Sequence, residues 1–220
     1  MEAMPIPRWT VPRRLSPGWD HVPPLPPLVL TETGGPPLQA TMVRLAWDEE
    51  ALHVRFDCED RDAWGTFQKR DEPLWQEEVV EVFLAPGEED PIDYAEFEVS
   101  PLGVVFDARI HNPTPLRKDM TADVAWDCPG LRWLAGRGTA RQDWWAELSI
   151  PWPAGGRPRL WRANFYRVER PRDGEVEYSA WSPTLVRPAD FHKPARFGVL
   201  ELGKENSSSP ETCANMPKTR

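Results

Sequence analysis

The stretch DEPLWQEEVVEVFLAPGEEDPIDYAEFEVSP, Asp71 to Pro101, restricts the possible folds more than any other part of the chain. From Val79 onward the side chains alternate. Val80, Val82 and Leu84 fall on one face, and Val79, Glu81 and Phe83 on the other. In the run that ends at Pro101, Phe97 and Val99 share a face, and Glu96, Glu98 and Ser100 share the opposite one. Trp75, Val79, Val82 and Phe83 also fit helical spacing, but a short Val-rich run closed at once by Pro86-Gly87 favours a strand. Both strands then offer one apolar face to a core and a second face where carboxylates stand among large side chains. A covered carboxylate is costly unless something bonds it. A sugar hydroxyl, a neighbouring Arg or a bound cation would each serve.

Period-two patterning extends through the chain. Val43, Leu45 and Trp47 alternate with Met42, Arg44 and Ala46, and after the Asp48-Glu49-Glu50 turn Leu52, Val54 and Phe56 alternate with His53, Arg55 and Asp57, which reads as a hairpin. Val104 to Arg109, Leu131 to Leu134, Gly138 to Arg141, Trp144 to Ile150, Trp161 to Val168 and Phe197 to Leu202 read as further strands. Many short strands without a long amphipathic helix imply an all-β fold, an antiparallel β-sandwich. Residues 1–38 are proline-dense and read as an extended arm pinned by Trp9, Trp19, Leu28 and Leu30. Residues 39–203 carry the sandwich, and the polar stretch 204–220 reads as a disordered tail.

Composition narrows the function. A formal net charge of −9 argues against a nucleic-acid backbone as partner. No apolar run approaches a membrane span, and the first residues, MEAMPIPRWTVPRR, lack the apolar core of a secretory leader, so a cytoplasmic location is the default expectation. Cys58, Cys128 and Cys213 are too few and too scattered for a disulfide scaffold or a zinc cluster. Twelve Trp residues are more than core packing usually needs, and indoles stack well on flat ligands. The loop DCEDRDAWGTF gathers Asp57, Asp60 and Asp62, an oxygen-rich set that could hold a structural calcium ion or could simply be solvated.

LWQEEVVEVFLAP, YAEFEVSPLGVVFDA, WWAELSIPW, WRANFYRVER, AWSPT and FHKPARFGVLEL follow one another in an order that resembles family 9 carbohydrate-binding modules. The resemblance runs from about Leu38 to Leu202. It implies a jelly-roll-like β-sandwich that holds the end of an oligo- or polysaccharide between two tryptophans, with structural calcium and a glycoside hydrolase as possible partner. On this chain the resemblance implies Trp75 and Trp181 as the pair, and Glu81, six residues after Trp75, as the pocket carboxylate. Where family members carry Arg and Asn on the next pocket strand, this chain carries Glu98 and Ser100, so reducing-end specificity does not carry over.

Three other functions fit parts of the sequence. A glycoside hydrolase could use two of Glu81, Glu96 and Glu98 as acid and base. A haem-binding sandwich could draw axial ligands from Met42, His53, His111 and His192, although none of these sits in a specific motif. A structural domain with a decayed pocket would also tolerate the change at Glu98 and Ser100.

Overall fold

The computed structural model describes residues 4–114, 116–138 and 143–204. They form thirteen strands: β1 (Arg8–Val11), β2 (Val29–Leu30), β3 (Thr41–Trp47), β4 (Ala51–Cys58), β5 (Val79–Pro86), β6 (Asp93–Val99), β7 (Val105–His111), β8 (Thr121–Asp123), β9 (Arg132–Arg137), β10 (Trp144–Pro151), β11 (Leu160–Glu169), β12 (Glu177–Ala180) and β13 (Gly198–Leu202). Among the described residues the only helical elements are three short 3-10 turns.

The strands build two sheets, packed face to face. The smaller runs β3-β4-β10-β9 and the larger β1-β13-β11-β5-β6-β7-β8, with β12 and β2 attached beside β11. β11 is long enough to serve two partners, pairing β13 over Leu160–Ala163 and β12 over Tyr166–Glu169. Apart from β1, which lies parallel to β13, all these pairings are antiparallel.

The sequence periodicity becomes the sandwich directly. Val80, Val82, Leu84, Phe97, Val99 and Phe165 of the large sheet meet Val43, Leu45, Trp47, Leu52, Val54, Phe56, Trp144 and Leu148 of the small one in a single buried cluster. On the opposite face of the small sheet Arg44, Arg55, Asp57 and Glu147 keep partial contact with solvent, while His53 is buried. On the large sheet the opposite face is buried too. Val79, Phe83, Tyr94, Phe106, Ala108, Ile110, Tyr166 and Val168 form a second cluster, covered by the segment before β5 and by the connection between β12 and β13. A sheet buried on both faces has room for a site under those covering loops.

The proline-dense arm is tied into this frame rather than resting on it. β1 and β2 extend the large sheet, and Val11, Leu25 and Leu28 join the inter-sheet core. Arg132–Arg137 is one strand, while residues 139–141 of the expected Gly138–Arg141 strand lie outside the described residues. Cys58 and Cys128 are free thiols. Cys213 and the tail from residue 205 also lie outside the described residues.

Candidate functional site

The outer face of the large sheet carries the chemistry. The β5–β6 register sets Glu81 opposite Glu98 and Phe83 opposite Glu96, so three carboxylates share one face within two rungs of the ladder. One carboxylate oxygen from each lies within 4.8 Å of the others. All three are buried. Burial first, and then the charge of Glu96, holds the Glu81 carboxyl well above its ordinary range. Burial followed by the charges of Glu81 and Glu96 does the same to Glu98. Burial pushes Glu96 up to about 7, against weaker opposing pulls from the neighbouring Glu98 carboxyl and then from Arg117. The Glu96 carboxyl and the Trp75 amide stand beside Glu98, but neither Glu98 oxygen completes a well-aligned hydrogen bond among the described residues.

Glu81 and Glu96 open onto a cleft of about 1000 Å³. One wall is Trp75. It sits in the 3-10 turn Leu74–Gln76, where buried Leu74 anchors the turn and leaves the indole 43% exposed, with its edge on Phe106 at 5.3 Å between ring centres. The loop leading to this turn is fastened by Glu77, which accepts bonds from the Thr66 amide (2.7 Å) and hydroxyl. The rest of the lining comes from far along the chain. Phe191 stacks on Tyr166 at 4.1 Å with the rings 11° apart, and Tyr178 meets Phe191 edge-on at 6.0 Å. The Tyr166 hydroxyl donates to the Phe191 carbonyl at 2.8 Å and accepts from Asn164 Nδ2 at 2.8 Å. Next to it, His192 Nδ1 is 2.8 Å from the Tyr94 hydroxyl. Burial and then Arg117 lower His192 to about 3, so it is neutral at physiological pH. Arg117, Asp190 and Lys193 line the same cleft, with Asp190 3.4 Å from Arg117 and 2.6 Å from Lys193.

The structure brings together Trp75, Glu81 and Glu98 of the expected set, with Glu96 as the added member. It does not bring Trp181 to the cleft. The amide of Trp181 donates to the carbonyl of inward-facing Phe165 at 2.9 Å, continuing the β11–β12 ladder. Residues opposite each other in a ladder point to the same side, so the indole enters the inter-sheet core, 5% exposed and 5.7 Å from the Phe165 ring. Gly198 provides its space, because a Cβ there would stand 2.3 Å from the indole. The two-tryptophan clamp is therefore corrected to one exposed tryptophan. Ser100 is corrected as well. Its hydroxyl accepts the Val104 amide at 3.2 Å and closes the β6–β7 turn rather than facing the cleft.

Asp57, Asp60 and Asp62 do not converge, because each has a different cationic partner. Asp57 pairs with Arg44 at 2.5 Å and Arg55 at 2.8 Å, Asp62 with Arg172 at 2.5 Å, and buried Asp60 with Arg167 at 2.9 Å. Asp60 belongs instead to a group with Glu78 and Glu169 around the fully buried Arg167 guanidinium. A second acidic group, Asp71, Asp107 and Asp127, surrounds Arg70 in the same way. In each of those two a guanidinium holds the carboxylates together. His53 bonds Asp48 and Ser149, His111 bonds Asp93, and Met42 lies exposed on β3, so the residues available to a haem are dispersed. Sequence reasoning missed Tyr178, Phe191 and Arg117; of these only Phe191 lies in a stretch singled out above, FHKPARFGVLEL.

The carboxylate spacing bears on catalysis. A glycosidase separates its two carboxyl groups by roughly 5–5.5 or 6.5–9.5 Å across the scissile bond. Here the three stand side by side on one face of the β5–β6 hairpin, their nearest oxygens within 4.8 Å of one another, rather than facing each other across the cleft. Such a floor can bond hydroxyls or a cation, beneath an aromatic wall suited to the apolar face of a pyranose.

Comparison with known proteins agrees with this architecture. Residues 36–202 match the carbohydrate-binding family 9 profile. An Arthroderma benhamiae relative named "Extracellular protein" is 30% identical over 178 residues, covering 73% of this chain and 78% of its own length. A Bacteroides uniformis structure named for carbohydrate binding superposes with a TM-score of 0.73 at 15% identity, over 90% of this chain and all of that one. A family 9 module from Caldicellulosiruptor kristjanssonii in complex with cellotriose gives a TM-score of 0.63 at 16% identity, over 97% of this chain and all of that one. The same kind of module in complex with glucose gives 0.64 at 15%, over 92% of this chain and all of that one. With the family match spanning most of the chain, the protein belongs to carbohydrate-binding family 9.

Proposed function

We propose that this protein is a non-catalytic sugar-binding module that holds a pyranose in the cleft between Trp75 and the segment from Tyr178 to Lys193. The observation that carries this reading is the half-exposed Trp75 indole standing over the buried carboxylates Glu81 and Glu96 in a family 9 fold. The sugar stacks one face on the indole, while its hydroxyls donate to the acidic floor. Because the three carboxylates share one floor and none faces another across the cleft, bond cleavage falls to a separate glycoside hydrolase acting on the same polymer. The Arthroderma benhamiae relative is named as extracellular, and no helix of the described residues is long and apolar enough to cross a membrane. The cytoplasmic expectation gains no support from that relative, and secretion suits a polymer ligand.

Calorimetric titration with cellotriose and glucose tests the reading. Trp75→Ala should weaken binding by about 2 kcal/mol, as for other buried-anchor aromatics, with the unfolding transition unchanged. Wild-type affinity in Trp75→Ala would remove the stacking wall, and an undetectable wild-type interaction across a broad glycan panel would remove the function.

A further inference from the structure

The three acidic groups of the fold differ in one respect. Arg167 fills the group of Asp60, Glu78 and Glu169, and Arg70 fills that of Asp71, Asp107 and Asp127. Among the described residues the group of Glu81, Glu96 and Glu98 has no cation at its centre, although it is buried and neither Glu98 oxygen completes a well-aligned hydrogen bond. The positive group that acts on Glu81 and Glu96, Arg117, is more than half exposed and sits 3.4 Å from Asp190. Unlike the other two groups, this one opens onto a cleft with an exposed aromatic wall.

We infer that the carboxylates Glu81, Glu96 and Glu98 receive the protonated amine of an amino sugar, a glucosamine-type unit stacked on Trp75. This rests on the sugar-binding reading above and names its ligand class. An ammonium presents three donors, and the floor presents three acceptors. Acceptors about 2.8 Å from one tetrahedral nitrogen lie roughly 4.6 Å apart, which fits oxygens within 4.8 Å of one another. A calcium ion asks for 6–8 oxygens, whereas the rest of the lining is apolar at Phe106, Ile110, Met120, Ala122 and Val124 and cationic at Arg117, Arg170, Arg187 and Lys193, with Asp190 the only other carboxylate among the lining residues. An aromatic face beside an acidic floor also suits a cation through its ring quadrupole. Glucose hydroxyls donate to the floor without changing its charge, whereas a protonated amine donates to it and also neutralises it when the carboxyls are ionised.

The experiment is a calorimetric comparison of glucosamine, N-acetylglucosamine, glucose and cellotriose at about pH 7. Glucosamine should bind at least tenfold more tightly than glucose or the neutral N-acetyl sugar. That preference should collapse in Glu98→Gln and in Glu81→Gln, two variants whose folding is checked by thermal unfolding. Its pH profile should be bell-shaped, rising as the carboxyls lose protons and falling as the amine loses its own. Equal affinity for the charged and neutral sugars would overturn the inference and leave sugar binding standing. Failure of every sugar, cellotriose included, would overturn both. Stabilisation by calcium alone, abolished in Glu98→Gln, would assign the floor to a metal ion and overturn the amine.

Discussion

Replacing Glu98 by Gln should stabilise the ligand-free protein at high pH and leave it nearly unchanged at low pH. Glu98 is fully buried and is held well above the usual carboxylate range by burial and by the charges of Glu81 and Glu96. Glu96 provides the scale. Its rise from 4.5 to about 7 corresponds to about 3 kcal/mol at roughly 1.4 kcal/mol per unit. A carboxyl whose pKa is raised in the folded state contributes fully below its unfolded value and loses that contribution as pH climbs through the folded one. Wild-type stability should therefore fall between about pH 4.5 and pH 7 through this group alone. Gln carries the neutral, donor-bearing form at every pH and removes one of the three repelling charges. Glu98→Gln should match wild type near pH 4.5 and exceed it by about 1–3 kcal/mol at pH 8. Urea unfolding followed by Trp fluorescence without sugar measures both points. A variant weaker than wild type at pH 8 would mean that Glu98 is stably paired as an anion, and the crowded-floor reasoning would fail. Equality there would mean that Glu98 still holds its proton at that pH.

Trp181→Ala should cost about 3–5 kcal/mol, the range for a large core aromatic, because it empties the space beside Phe165 and Gly198. Lost sugar binding with unchanged stability would return the indole to the cleft. Arg167→Met should cost about 3–5 kcal/mol by leaving Asp60, Glu78 and Glu169 buried without their cation. The penalty should shrink at acid pH, where burial already holds Glu78 up at about 8 and Glu169 at about 7. Calcium should leave the melting temperature unchanged, since Asp57, Asp60 and Asp62 are each engaged by Arg. A rise lost in Asp60→Asn would reinstate the loop as a metal site.

The core was legible because a buried strand face is written locally. Val80, Val82, Leu84, Phe97 and Val99 sit where alternation puts them, and Glu81, Glu96 and Glu98 were visibly on the other face. Their convergence was not legible. It depends on the hairpin register that sets Glu81 across from Glu98, which alternation alone leaves open. Trp181 failed for a similar reason, since its facing follows from Phe165 across the ladder and not from its own neighbours. The acidic loop misled because charge-rich sequence does not reveal which Arg from a distant strand will arrive. The proline-dense arm looked unstructured because proline obscures strand propensity, whereas β1 and β2 need only a few free amides to join an existing edge.

The pairing of β1 with β13 bears on synthesis. Arg8 meets Val199 and Val11 meets Leu202, so the edge of the large sheet is sealed by segments about 190 residues apart. A nascent chain emerging from the ribosome meets every other strand before the one that β1 needs. Until then β1 lacks its partner, and Leu160–Ala163 of β11 exposes an unpaired edge to other chains. Removing β13 would hold the molecule in that state permanently. C-terminal truncation before Gly198 should therefore yield aggregates rather than a smaller soluble domain.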